Sequence, residues 1–283
     1  MASKFSDKAM CWLMRLTAYF VILVVGFIVF EIVRRGAGAV SWEFLFGMPR
    51  RSGAEGGILP AIVGTLLLVA GSIVTAFPLG VATAIYLSEY ARQGRFTHAI
   101  RAAIATLAGV PSIVFGLFGL GLFVIFLKWG CSIISGCATL ACMILPTIIV
   151  SSEEALRAVP QSLREGSLAL GATKWQTIWG NVLPYSVGGM LTGSILAIGR
   201  AAGETAPILL TVAAFYLPKL PRSIFDQVMA LPYHLYVLST QHPDTAAVRP
   251  KAYGTALVLL LLVLGVGSAA ILLRFRVRKK YKW

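Results

Sequence analysis

Long apolar runs alternate along this chain with short polar and basic segments. A helix rises about 1.5 Å per residue and the hydrocarbon layer is about 30 Å thick, so a crossing needs roughly 20 apolar residues. Six runs have that character: Leu16–Val33, Ile58–Leu87, Ile104–Leu127, Ser132–Val150, a run from Ser186 to Leu217, and Gly254–Leu273. The second is too long for one straight crossing and carries Pro78 and Gly80, which predicts a tilt or a kink there. The pattern predicts an all-α integral membrane protein with six transmembrane helices.

Composition agrees. Hydrophobic types make up 58% of the 283 residues and charged types 13%, against about 45–50% and about 25% in a soluble domain. A soluble enzyme, a disordered tail and a coiled coil are excluded. The net charge is +14, but the basic residues lie between apolar runs and at the chain ends. There they orient spans in lipid, so no nucleic-acid partner is expected. An even number of spans puts both termini on one side. With the termini inside, Lys and Arg number fifteen on that side and nine on the other, and Arg200 stays within the fifth run. The termini are therefore expected in the cytoplasm. The start of the chain looks superficially like a signal peptide, but Glu31, Arg34 and Arg35 separate its apolar stretch from Ala37-Gly38-Ala39, which predicts an uncleaved first span.

Cys11, Cys131, Cys137 and Cys142 form no C-x-x-C pair and read as small hydrophobes. His98, His234 and His242 are scattered, so no metal site is expected. Gly116, Gly119 and Gly121 lie in a wholly apolar stretch and read as small residues for close helix packing. The outer segment Ile224–Leu238 is apolar enough to lie along the membrane surface or to meet a partner.

The segment between the fourth and fifth runs, Ser151–Tyr185, carries ordered punctuation. Pro160 can begin a helix, good helix formers follow over Gln161–Leu170, and Gly171 supplies a stop. Thr173 and Gln176 have capping-box spacing for a second helix starting near Lys174, and Pro184 marks the approach to the fifth span. Helix, glycine turn, helix is a common loop motif. It is also a shape able to pass force to a soluble partner.

Within that loop Glu165, Gly171 and the pair Leu183-Pro184 keep the spacing of the Glu-Ala-Ala motif of binding-protein-dependent ABC importers. Gly166-Ser167 stand for the two alanines and Asn181 stands for an isoleucine. The stretch Gly109-Val110-Pro111-Ser112-Ile113-Val114-Phe115-Gly116-Leu117-Phe118-Gly119 is similar to the third-span signature of phosphate-specific permeases. Arg200-Ala201-Ala202-Gly203-Glu204-Thr205-Ala206-Pro207 resembles the fifth-span signature of their A-type subunit.

The resemblance covers the chain from Ile58 to Leu273. It implies a type I ABC importer permease bundle of the MetI-like kind in the bacterial cytoplasmic membrane. It also implies a sister C-type permease, two ATPase subunits holding ATP and Mg, and a phosphate-binding protein outside. The division it implies is an N-terminal segment 1–57 with the first span, a transmembrane domain 58–275 with a coupling loop 151–185, and a basic cytoplasmic tail 276–283. Glu165, Gly166, Gly171, Leu183 and Pro184 are then the residues of the ATPase-coupling loop.

Arg200 and Glu204 also have a reading of their own. A charge at bilayer depth costs at least ~2.5–3.5 kcal/mol and tends to face the bundle interior. Four apart on a helix, the two can pair. The guanidinium fork suits a tetrahedral oxyanion, and Gly199, Gly203 and Pro207 favour a helix break. Two roles stand open: a substrate pathway with Arg200, Glu204, Thr205 and Ser112 as its candidates, or an ion pair that pins two helices. Phosphate, another oxyanion such as sulfate or molybdate, and a secondary anion/proton symporter all fit such a pair. No Gly-x-x-x-x-Gly-Lys-Ser/Thr loop and no nucleophile–base constellation occur, so neither a catalytic residue nor a resident cofactor is expected.

Overall fold

The computed structural model describes residues 2–53 and 55–280. Among the described residues, five helical stretches are long and apolar enough to cross a membrane: Met10–Ala39, Leu59–Tyr90, Ile133–Arg157, Lys174–Gly203 and Thr245–Arg276. A sixth crossing is made if the bent pair Arg95–Ala108 and Ser112–Phe126 counts as one, its two helices meeting at 102°. The third run is therefore not a straight span over Ile104–Leu127. Helix α4 (Arg95–Ala108) ends at Gly109, and Pro111 turns the chain into α5 (Ser112–Gly119), which continues helically to Phe126. Proline lacks the N–H that would extend α4 and disfavours helical geometry at Val110. Residues 104–108 thus belong to an amphipathic helix lying at a steep angle to the crossing.

The centre of the bundle is α3 (Leu59–Ile85) against α6 (Ile133–Arg157). Leu68, Leu140, Ile144 and Ile148 are almost fully buried between them and their neighbours. Lipid tails are as apolar as these side chains, so close packing has to hold the helices together, and small residues permit it. A Cβ on Gly80 would stand 2.6 Å from Cγ2 of Ile148, and one on Gly71 would stand 2.4 Å from Sγ of Cys137. Helix α3 runs unbroken through Pro78 and ends in a wide turn, Tyr86–Tyr90. The cysteines are free; Cys137 is buried and Cys142 half-buried, as small hydrophobes would be, whereas Cys11 and Cys131 are exposed.

Helix α1 (Ala2–Gly36) stands apart. Its apolar residues from Trp12 to Phe30 are exposed, and its last turn rests on α12 (Thr245–Lys280), where Arg35 lies over the ring of Tyr253 and pairs with Glu31. At this end, called here the hairpin end, α2 (Trp42–Phe46) precedes strands β1 (Pro49–Arg50) and β2 (Glu55–Gly56), which pair antiparallel. Tyr216 Oη donates to the carbonyl of Pro49 at 3.0 Å, which ties the hairpin to the long outer loop.

That loop differs from expectation. Ile224 and Phe225 are exposed, but Val228–Leu231 and most of α11 (Leu231–Thr240) are buried against α3 and α12. The amide of Leu231 donates to Thr65 Oγ1 at 2.8 Å, and Gly64 leaves room for the carbonyl of Met229. The segment is apolar because it enters the bundle rather than lying along the membrane surface. Helix α12 continues to Lys280, beyond the sixth apolar run; residues 281–283 of the basic tail lie outside the described residues.

Candidate functional site

Helix α9 (Leu183–Gly203) carries the charged pair. It stops because Glu204 is extended (φ −75°, ψ 134°), and after Thr205 a short helix, α10 (Ala206–Thr211), begins with Pro207 in its first turn, where proline is tolerated. The break lies where Gly203 and Pro207 bracket Glu204, as the sequence favours. Arg200 Nε stands 3.5 Å from Glu204 Oε1. The side chains are 35% and 18% exposed, so the pair is not enclosed by this chain's own bundle. The opposite face of α9 buries Ala197 and Ala201 in the core, whereas a Cβ on Gly199 or Gly203 would meet nothing within 4 Å. Arg200, three residues from both Ala197 and Gly203, therefore sits at the border between the packed and the open face, next to the helix break.

Ser112 and Thr205 are half-buried. Ser112 opens α5, one turn before Gly116, where a Cβ would stand 3.0 Å from the carbonyl oxygen of Ala206 and 3.1 Å from Cα of Pro207. Third and fifth spans thus meet at the break. Among the described residues no hydrogen bond joins Ser112 or the Thr205 side chain to Arg200 or Glu204.

At the other end of α9 lies a helix–turn–helix knob. Helix α7 (Gln161–Ala169) follows Pro160, Gly171 makes the turn at φ +84°, and α8 (Lys174–Thr177) starts from a complete Thr173/Gln176 capping box. Each of these features was readable from residue spacing. Glu165, Gly166 and Gly171 are exposed, and at the tip Leu170 is 90% exposed. Trp175 and Trp179 stack at 5.8 Å and are also exposed. Leu183 and Pro184 do not join this surface. They are half-buried at the root of α9, with Leu183 packed beside Leu156, Val159 and Val182, and they anchor the knob rather than present it.

Sequence reasoning missed the ion pairs beneath the knob. Arg164 donates to the carbonyls of Val159 (2.6 Å) and Leu156 (2.7 Å) and to Glu89 Oε1 (3.0 Å). Arg101 donates to Glu153 Oε1 (2.8 Å) and to the carbonyl of Leu87 (2.8 Å), and Arg157 reaches the same Glu153 oxygen at 2.7 Å. Glu89 and Arg164 are separated by 75 residues, so no local spacing announces their contact.

An apolar multi-span bundle with a broken fifth span and an exposed knob between its fourth and fifth spans is the architecture of a transport permease. The chain belongs to the family of binding-protein-dependent transport system inner membrane components, whose profile matches residues 76–280. It is a multi-pass membrane protein. It is 32% identical to the probable ABC transporter permease protein YqgI of Bacillus subtilis, over 99% of each chain. It is 38% identical to phosphate transport system permease protein PstA 1 of Mycobacterium tuberculosis, over 78% of this chain and 71% of that one. Among solved structures, a bacterial ABC transporter involved in the import of the acidic polysaccharide alginate superposes with a TM-score of 0.66 at 14% identity, over 96% of this chain and 98% of that one. The MetNI methionine ABC transporter, in inward-facing conformations, gives 0.59 at 17% identity, over 78% and 94%. At such identity the likeness is one of fold: that of the ABC importer permeases.

Proposed function

We propose that this chain is the membrane-spanning permease subunit of an ATP-driven importer that carries inorganic phosphate across the bacterial cytoplasmic membrane. The observation that carries the substrate is the run of relatives named phosphate transport system permease proteins, among them those of Mycobacterium tuberculosis, Pasteurella multocida and Yersinia pestis at 38%, 34% and 40% identity. The geometry fits it. Arg200 offers a planar fork of donors to a tetrahedral oxyanion, at the edge of an open face and beside a helix break.

The pathway then runs between this chain and a sister C-type permease. Arg200 lines it, Glu204 holds or releases the guanidinium as the gate moves, and Thr205 and Ser112 supply further donors. The termini and the knob end face the cytoplasm, in keeping with the Lys/Arg asymmetry. There the knob, through Glu165, Gly166 and Gly171, docks on one of two ATPase subunits that bind ATP and Mg. The knob exposes Leu168, Leu170, Trp175 and Trp179 together, which supports this reading, since an apolar patch of that size on a cytoplasmic loop marks a contact surface. A phosphate-binding protein docks at the hairpin end, where Ile224 and Phe225 are exposed. Functionally the transmembrane domain is 58–275, with 1–57 and 276–283 as flanking segments.

The test is uptake of labelled phosphate, with labelled sulfate as control, in cells lacking only this chain and in cells given it back. Restored phosphate uptake with sulfate unchanged is expected. Restored sulfate or molybdate uptake instead would move the substrate to another oxyanion. Uptake that persists without ATP hydrolysis would point to a symporter.

A further inference from the structure

We propose that the turn Tyr86–Tyr90 at the end of α3 is the joint through which the knob moves the bundle, and that Glu89 is its positioning residue. The proposal rests on the reading that the knob docks on an ATPase.

Three cations from three different elements grip these five residues. Arg164 of α7 donates to Glu89 at 3.0 Å, and Arg101 of α4 donates to the carbonyl of Leu87 at 2.8 Å. Lys174 of α8 sits 4.9 Å from the centroid of the Tyr90 ring. Cations suit this place, because the last carbonyls of a helix lack partners and carry the negative end of its dipole. Both halves of the knob are thereby fastened to the same turn. Glu89 and Arg164 are only 9% and 14% exposed. Separating them would leave a charge unpaired and largely out of water, so the pair should travel together when the knob moves. Arg164 also holds two carbonyls at the end of α6, so α7 cannot swing independently of α6 and α3.

From the turn, contacts lead on to the charged break. Arg101 belongs to α4 and is held by Glu153 of α6. Helix α4 passes through the 102° bend into α5. At Gly116, α5 packs on the backbone of Ala206 and Pro207, immediately after Glu204-Thr205. The route is α7, the turn, α4, α5, α10, and its steps are an ion pair, a hydrogen bond from Arg101, the covalent bend at Gly109–Pro111 and backbone packing. Spatial continuity alone does not establish coupling; measured interaction energies do.

The experiment uses the whole complex, with both permeases and the ATPases in proteoliposomes loaded with ATP and Mg, and the binding protein with labelled phosphate outside. The variants are Glu89→Gln, Arg164→Gln and the double. ATPase retention, binding-protein-stimulated ATP hydrolysis and phosphate uptake are read together. In E89Q the ATPases stay bound and hydrolysis is kept within about twofold. Phosphate moved per ATP falls about tenfold, a size in the range of coupling-network substitutions. The double variant is no worse than R164Q alone, because both lose the same contact. Lys174→Gln removes the grip on Tyr90 without burying a charge, and it lowers phosphate per ATP by about two- to threefold. It decides the matter should E89Q fail to accumulate.

Unchanged phosphate per ATP in E89Q or K174Q, or additive losses in the double, overturns the joint. So does release of the ATPases by E89Q, which would make Glu89 a support of docking instead. The docking reading has its own variant, Leu170→Asp. If the ATPases remain bound there, that reading fails whatever Glu89 does.

Discussion

Arg200 Nε faces Glu204 Oε1 at 3.5 Å across the point where α9 loses helical geometry. That distance is at the outer limit of a hydrogen bond, so the pair is loose and most guanidinium donors are uncommitted. A strut between helices should be short and enclosed; this one is long, and its arginine is about one-third exposed. The arrangement favours a pathway role. Arg200→Ala is expected to lower phosphate uptake by about tenfold or more, from the loss of a hydrogen bond between charged groups worth about 1.5–3 kcal/mol. The amount of assembled complex, measured by co-purification of the ATPases, should not change. A fall in uptake that only tracks lost complex would assign the pair to structure.

Leu170 tells more about the knob than Glu165 does. Its exposure of 90% at the turn between α7 and α8 has no folding benefit within this chain. Leu170→Asp is expected to release the ATPases from purified complexes, while the permease chains stay together and in the membrane. Charge reversal at Glu165, which is exposed on the same knob, should leave the ATPases attached but cut phosphate uptake relative to ATP hydrolysis. Unchanged coupling in Glu165→Lys would remove that residue from the docking surface.

Close packing gives a prediction about stability. A Cβ on Gly64 would lie 2.0 Å from the carbonyl oxygen of Met229, a backbone atom that cannot rotate away. Gly64→Ala should therefore force α3 and the Val228–Leu231 segment apart, at a cost of about 1–3 kcal/mol or more. Gly26 of α1 has open space around it, and Gly26→Ala should not destabilise. Thermal unfolding of the two variants in the same detergent checks the contrast.

Much of this was legible from residue pattern because the causes are local. Span length follows from bilayer thickness, the knob from Pro160, Gly171 and the Thr173/Gln176 box, and the break from Gly203 and Pro207 around a charge. The failures have non-local causes. The apolar piece Ile224–Leu238 looks the same to a reader whether it meets lipid or enters the bundle. The choice is made by Gly64 and Thr65, more than 150 residues earlier, which open a slot for Met229 and accept the amide of Leu231. The third run looked continuous because apolar residues occur on both sides of Pro111, although a proline after Gly109-Val110 ends one helix and starts another. The Glu89–Arg164 pair joins charges 75 residues apart, which no local spacing brings together.

His234 makes the hairpin end sensitive to acid. It is 4% exposed, its Nδ1 has no hydrogen-bond partner among the described residues, and Cε1 would lie 3.2 Å from a Cβ on Gly53. Burial first, and then the charge of Lys251, pushes its pKa from 6.5 down to about 4. The folded chain thus keeps His234 neutral where an unfolded chain would bind a proton. Stability from this residue is complete above pH 6.5 and is lost as pH falls from there toward about 4. At about 1.4 kcal/mol per pH unit, the loss by pH 5 is about 2 kcal/mol. If the hairpin end faces outward, external acid bears on this packing, and α11, which carries His234, is the first element to loosen. Thermal midpoints of the detergent-purified complex at pH 7.5 and pH 5 should therefore differ, and the difference should shrink in His234→Gln, whose side chain cannot titrate. An undiminished difference in that variant would transfer the acid sensitivity to other groups, with the carboxylates of Glu43 and Glu55 near Lys251 as the next to replace.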